Sequence, residues 1–253
     1  MGVLDRPLLL AVGALVALLA SGWLGHVAGR RRRQLAESER QDFDMVVGAT
    51  LTLLGLIIGF SFSMALSRYE QRKSYEEAEA NAIGTEYLRA DLLPEADAAK
   101  VKTVLRSYLQ ARIDFHTARD GTQLSAIDAK TSQLQSELWS AVRKVTAADR
   151  NPITALVATG MNDVLNAQGY TQAAWWNRIP PSVWALMVAL AMCSTFLVGY
   201  NAKHTRRERG LLLVLPIVLS ISFYLIADIE SPRGGFIRIV PQNLLAVAES
   251  MRS

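Results

Sequence analysis

Gly48, Thr52, Gly55, Gly59 and Ser63 follow one another at intervals of four, three, four and four residues. That spacing lays them along one face of a helix. Two readings compete for such a stripe. Small residues let a neighbouring backbone approach closely, or hydroxyls and bare backbone face water along a permeation path. On the second reading the ring of Phe60 or Phe62 supplies a hydrophobic constriction. A further set of groups is ionic. Arg68, Arg72 and Lys73 follow the stripe, and Asp228 and Glu230 close the last apolar run. Acids at a membrane edge are costly unless paired or hydrated. Asp228 or Glu230 is therefore expected to pair with Arg68, Arg72 or Lys73, with plain hydration at the interface as the alternative.

Other reactive residue types form no constellation. Glu76, Glu77 and Glu79 read as a solvated helix face. The single cysteine, Cys193, lies in an apolar run and reads as a small packing residue. His26, His116 and His204 are scattered, so no metal site and no cofactor are expected. No glycine-rich phosphate loop, nucleophile elbow or zinc-protease motif occurs, and Gly234-Gly235 is too short to count. The chain does not read as an enzyme. Its basic clusters flank apolar runs, where membrane topology already explains them, so nucleic acid is not an expected partner.

The elements that must carry these residues are membrane helices. Hydrophobic residues make up 51% of the 253, and they fall in four long runs: Leu8 to Ala28, Met45 to Leu66, Pro181 to Tyr200 and Leu211 to Ala227. Each is near the roughly 17–25 residues needed to cross a bilayer. Pro216 inside the fourth is tolerable in a membrane helix, with a kink. The first run is followed at once by Arg30-Arg31-Arg32-Arg33. A polybasic cluster there favours a retained helix over a cleaved signal peptide.

Charge sets the expected topology. Residues 29–44 carry five Arg against four acids, and 201–210 carry four bases against Glu208. The stretch 67–180 balances fourteen against fourteen, and 228–253 three against three. All the net charge of +4 thus sits in two short loops. The positive-inside bias places loops 29–44 and 201–210 in the cytoplasm. The 67–180 insert and both termini then lie outside the inner membrane of a bacterium. Trp175, Trp176 and Trp184 are expected at an interfacial aromatic belt.

The insert reads as helix throughout. Nothing breaks the chain between the second run and Pro94, so span two is expected to continue outward as one long helix. A second helix carries Val101, Val104, Leu105, Tyr108, Leu109, Arg112 and Phe115 at helical spacing and ends near Asp120-Gly121. A third covers about 122–148. Asn151-Pro152 stops it and starts a fourth that runs to about Trp176. The fold class is an all-α membrane protein, in four parts: 1–66 with spans one and two, the helical insert 67–180, 181–228 with spans three and four, and a tail from 229 to 253.

TLLGLIIGFSFSMALSRYEQR, EANAIGTEYLRADLLP, IPPSVWAL and IADIESPRGGFIR, in that order, resemble the uncharacterised bacterial membrane proteins described as bestrophin-like. The resemblance runs from about residue 43 to 240. Carried on to bestrophins proper, it implies a pentameric anion channel with span two lining the pore. Bestrophins keep both termini and the helical region in the cytoplasm, the reverse of what the Arg-rich loops indicate. An oligomeric ion channel embedded in lipid is the leading functional reading. A membrane sensor or scaffold with a periplasmic helical domain is the alternative.

Overall fold

The structure is a computed structural model that describes residues 6–30, 37–119, 121–202 and 206–252. Arg31, Arg32 and Arg33 of the polybasic cluster, and Lys203 and His204, lie outside the described residues. Among the described residues eight α-helices follow in order: α1 (Pro7–Arg30), α2 (Glu37–Arg89), α3 (Glu95–Thr117), α4 (Gly121–Ala148), α5 (Pro152–Trp176), α6 (Pro181–Asn201), α7 (Arg206–Glu230) and α8 (Gln242–Ser250). Four stretches of the described residues, within Pro7–Arg30, Gln41–Leu92, Pro152–Asn201 and Leu213–Glu230, are long and apolar enough to cross a membrane. The insert between the second and third spans is helical, and α2 runs through 53 residues without a break.

Contacts divide the chain into two compact units: Met1–Ser67 with Arg178–Ile237, and Arg68–Asn177 with Arg238–Ser253. In the first, α1 packs against α6 and α7. Glycine makes the α1–α6 contact possible. A Cβ on Gly25 would stand 2.1 Å from the Phe196 carbonyl oxygen, and one on Gly29 2.3 Å from that of Tyr200. On the other side, a Cβ on Gly199 would stand 2.1 Å from the Gly22 oxygen. The two backbones touch, as small residues permit in a membrane. Ser21 adds a hydrogen bond from its Oγ to the Met192 carbonyl at 2.8 Å. In α7 Phe223 and Ile226 are buried, and the Trp184 ring meets Phe223 edge-on.

The second unit has its own core. Ile83 of α2, Val101, Leu105 and Tyr108 of α3, Leu138 and Val142 of α4, and Met161 and Val164 of α5 are buried together. Fully burying each such side chain contributes about 1.5–3 kcal/mol. Helix ends are set locally. A 3-10 turn over Ala90–Leu92 and Pro94 separate α2 from α3. Asn151 Oδ1 accepts from the Ile153 and Thr154 amides at 2.9 Å, and Pro152 sits in the first turn of α5. The tail is not a separate piece: Leu244 and Met251, in and beside α8, complete this core.

Two expectations are corrected here. Of the three tryptophans expected at an interfacial belt, Trp175 and Trp184 are buried and Trp176 is exposed. Trp175 packs edge-on against Phe115 and His116, because an aromatic core offers the ring more apolar contact than an interface does. Cys193 is exposed on α6 rather than packed.

Candidate functional site

All five residues of the small stripe on α2 are exposed. A Cβ added at Gly48, Gly55 or Gly59 would meet no atom within 4 Å. The residues that α2 buries in this unit are Leu54, Ser61 and Ala65, which stand about 140° around the helix from the stripe at 3.6 residues per turn. Helix packing inside the chain therefore does not account for these glycines. Thr52 donates to the Gly48 carbonyl at 2.9 Å, so its hydroxyl proton is held by its own helix while its oxygen can still accept. Phe60 and Phe62 are both exposed. Two positions apart on a helix, they cannot share a face. Phe62 lies about 60° from the stripe's centre and Phe60 about 100°, so Phe62 is the better placed to flank it.

The acids at the end of α7 are held by backbone. Asp228 accepts from the Phe236 amide through Oδ1 and from the Ile237 amide through Oδ2, each at 2.8 Å. The turn between them needs Gly235: a Cβ there would lie 2.6 Å from the Asp228 carbonyl oxygen and 2.8 Å from Oδ1. Glu230 Oε2 accepts from the Ile179 amide at 2.7 Å, which fixes the approach to α6. Charge-assisted bonds of this kind compensate a buried carboxylate for lost water. Arg72, in the other unit, donates through Nε to the Ala174 carbonyl at 3.1 Å and through Nη2 to Asn177 at 3.2 Å. Those carbonyls close α5, where the helix dipole favours a cation. Backbone groups thus meet Asp228 and Glu230 within the first unit and Arg72 within the second.

Beyond the span, α2 turns a mixed face inward. Arg72, Glu76, Glu79, Ile83, Glu86 and Ala90 recur at three- and four-residue steps, and all are buried. The expected solvated face of Glu76 and Glu79 is wrong, since both find partners far along the chain; Glu77 between them is exposed. Glu76 caps α8: it accepts from the Asn243 amide at 3.1 Å, Asn243 Nδ2 at 2.7 Å and the Leu244 amide at 3.0 Å. A carboxylate at a helix N-terminus also meets the favourable end of its dipole. Glu79 forms a buried ion pair with Arg112 of α3 and accepts from Thr171 Oγ1 at 2.8 Å. The Arg112 guanidinium lies 4.4 Å from the centre of the Phe115 ring. Burial, with Glu79 adding to it, pushes the neighbouring Tyr108 phenol far above its ordinary range.

Glu86 differs from its neighbours. It is fully buried, and neither carboxyl oxygen has a hydrogen-bond partner among the described residues. Arg89 Nη1 is 3.9 Å away. Desolvation pushes the Glu86 carboxyl up to about 8, against the pull of Arg89 and with Asp163 reinforcing it. Among the described residues, no group of three or more His, Cys, Asp or Glu is placed to hold a metal ion.

A four-span helical protein with one span carried outward into a helical insert is an architecture with known relatives. The Bestrophin-like domain profile matches residues 12–244, and the chain belongs to that family. With its four apolar stretches, this makes it a multi-pass inner-membrane protein. The chain is similar in fold to the crystal structure of a bacterial bestrophin homolog from Klebsiella pneumoniae, with a TM-score of 0.63 at 12% identity, covering 95% of each chain. A variant of that homolog superposes with a TM-score of 0.64 at 10% identity, covering 95% of this chain and 96% of the other. No curated protein matches the sequence. At such identities the likeness is one of fold alone.

Proposed function

We propose that the chain assembles with copies of itself into an ion channel, with α2 of each copy around the axis and Gly48, Thr52, Gly55, Gly59 and Ser63 facing the path. The observation that carries this reading is the open stripe. A lone four-span subunit has little room for an internal water path. A small, weakly polar face turned away from the chain's own helices gains little from lipid compared with a second copy or water. Phe62, flanking the stripe, is the proposed constriction, with Phe60 the weaker candidate. Family and fold support a channel-type arrangement, and the copy number is for measurement to give.

Oligomeric state measured together with conductance in planar bilayers tests the reading. A conducting oligomer is expected. A monomer, or a silent oligomer whose axis is filled by lipid, would favour the sensor or scaffold instead. Orientation is a separate question. The loop charges place the insert and both termini outside, whereas the bestrophin arrangement places them in the cytoplasm. A reporter fused at the C-terminus separates the two, and cytoplasmic activity there would sink the charge-based topology.

A further inference from the structure

Along the inward face of α2 the buried ionisable groups are matched, with one exception. Glu76 receives three N–H donors, and Glu79 is met by Arg112 and Thr171. Glu86 is just as buried but has no hydrogen-bond partner among the described residues. Its place is nevertheless built. The carboxyl lies against the backbone of α5 at Gly160, where a Cβ would come within 2.0 Å of Oε2 and 2.3 Å of Arg89 Nη1. Any side chain at position 160 would have to push Glu86 and Arg89 aside. The charged neighbours are few: Arg89, one turn along its own helix at 3.9 Å, and Asp163, an exposed acid of α5.

A carboxylate in this seat would give up water without gaining donors and would face a like charge from α5. A neutral carboxylic acid avoids both costs. We propose that Glu86 is a proton-binding site that clamps the outer end of α2 to α5, seated at Gly160 while protonated and driven from that seat when it ionises. On ionisation each chain releases one proton to bulk water, and the carboxylate moves towards solvent and the Arg89 guanidinium. The inference does not rest on the channel reading, because what it predicts is the state of the α2–α5 contact itself.

The sign follows from proton counting. An exposed glutamate titrates near 4.3 in the unfolded chain, while the seated group holds its proton to about 8. Between those values the folded chain carries a proton that the unfolded chain has lost. Stability of this contact therefore falls as pH rises through the window and levels off above it.

Hydrogen–deuterium exchange on the full chain in detergent micelles, from about pH 6 to about pH 10, reads the clamp directly. Comparison with Glu86→Gln at each pH cancels the intrinsic rise of exchange rate with pH. Amides around Glu86 and Gly160 are expected to lose protection progressively in the wild type as pH rises to about 8, with no further loss above it, and to keep it in Glu86→Gln. Asp163→Asn should move the midpoint down and Arg89→Gln should move it up. Both residues are at least partly exposed, so these two variants test the site even if Glu86→Gln fails to fold. Parallel loss of protection in wild type and Glu86→Gln would overturn the proposal, as would a midpoint that neither neighbour moves.

Discussion

Gly25 and Gly29 of α1 have the same four-residue spacing as Gly55 and Gly59 of α2, in similarly apolar membrane stretches, yet their surroundings are opposite. A Cβ at Gly25 or Gly29 would strike the backbone of α6 at 2.1 or 2.3 Å, whereas one at Gly55 or Gly59 would meet nothing within 4 Å. The first pair is consumed in holding the protomer together. The second is left over, and a motif that brings helices together in one place is free to face another subunit or water in the other. Spacing alone does not distinguish these uses. What lies opposite the glycine does.

The largest effect is expected at the closed pair. Gly25→Leu should destabilise the protomer by upwards of about 3 kcal/mol, because the neighbour that must yield is backbone, not a flexible side chain. Loss of folded protein in a detergent thermal-shift assay would show it. A tolerated leucine there would break the comparison. Next comes the matched charge in the insert. Arg112→Met leaves Glu79 buried and without its cation, at a cost of about 3–5 kcal/mol. The double variant Arg112→Met with Glu79→Gln should recover most of that loss, as read by denaturant midpoints.

A smaller effect is expected at the edge of α7. Asp228→Asn keeps one acceptor oxygen but turns an amide donor towards a backbone N–H. The expected loss is about 1–3 kcal/mol, with increased exchange at the Phe236 and Ile237 amides. The smallest effect on the protomer belongs to the open pair. Gly59→Ala should leave thermal stability unchanged or raise it by up to about 1 kcal/mol, since alanine favours helix and meets no neighbour. Any effect it has should instead fall on assembly or conductance.

The spans, the unbroken α2 and the breaks at Pro94 and Asn151-Pro152 were legible because each depends on local hydropathy or backbone chemistry. The stripe was legible as a face, but its openness was not, since that depends on which helices stand opposite. The buried acids of α2 were misjudged for the same reason. Glu76 finds its donors at Asn243 and Leu244, and Glu79 its cation at Arg112, all remote in sequence. One signal was present. Arg112 stands within the apolar stripe of α3, between Leu109 and Phe115, and a buried arginine needs an acid or carbonyl oxygens to meet its charge and donors. Ile83 and Ala90, in register with the glutamates, marked the face that supplies it. The role of α8 left no such trace, because a nine-residue helix in a tail reveals its docking only through the residues it covers.

The claim that α2 presents its open stripe to a conducting path is tested most directly by one recording. Gly55→Cys, in a Cys193→Ala background that removes the only native thiol, is reconstituted in planar bilayers and exposed to a charged, membrane-impermeant thiol reagent. The account predicts an ionic current that falls sharply as the cysteine is modified. Absence of current from the assembled protein, or a current unchanged after the cysteine has been modified, would contradict it.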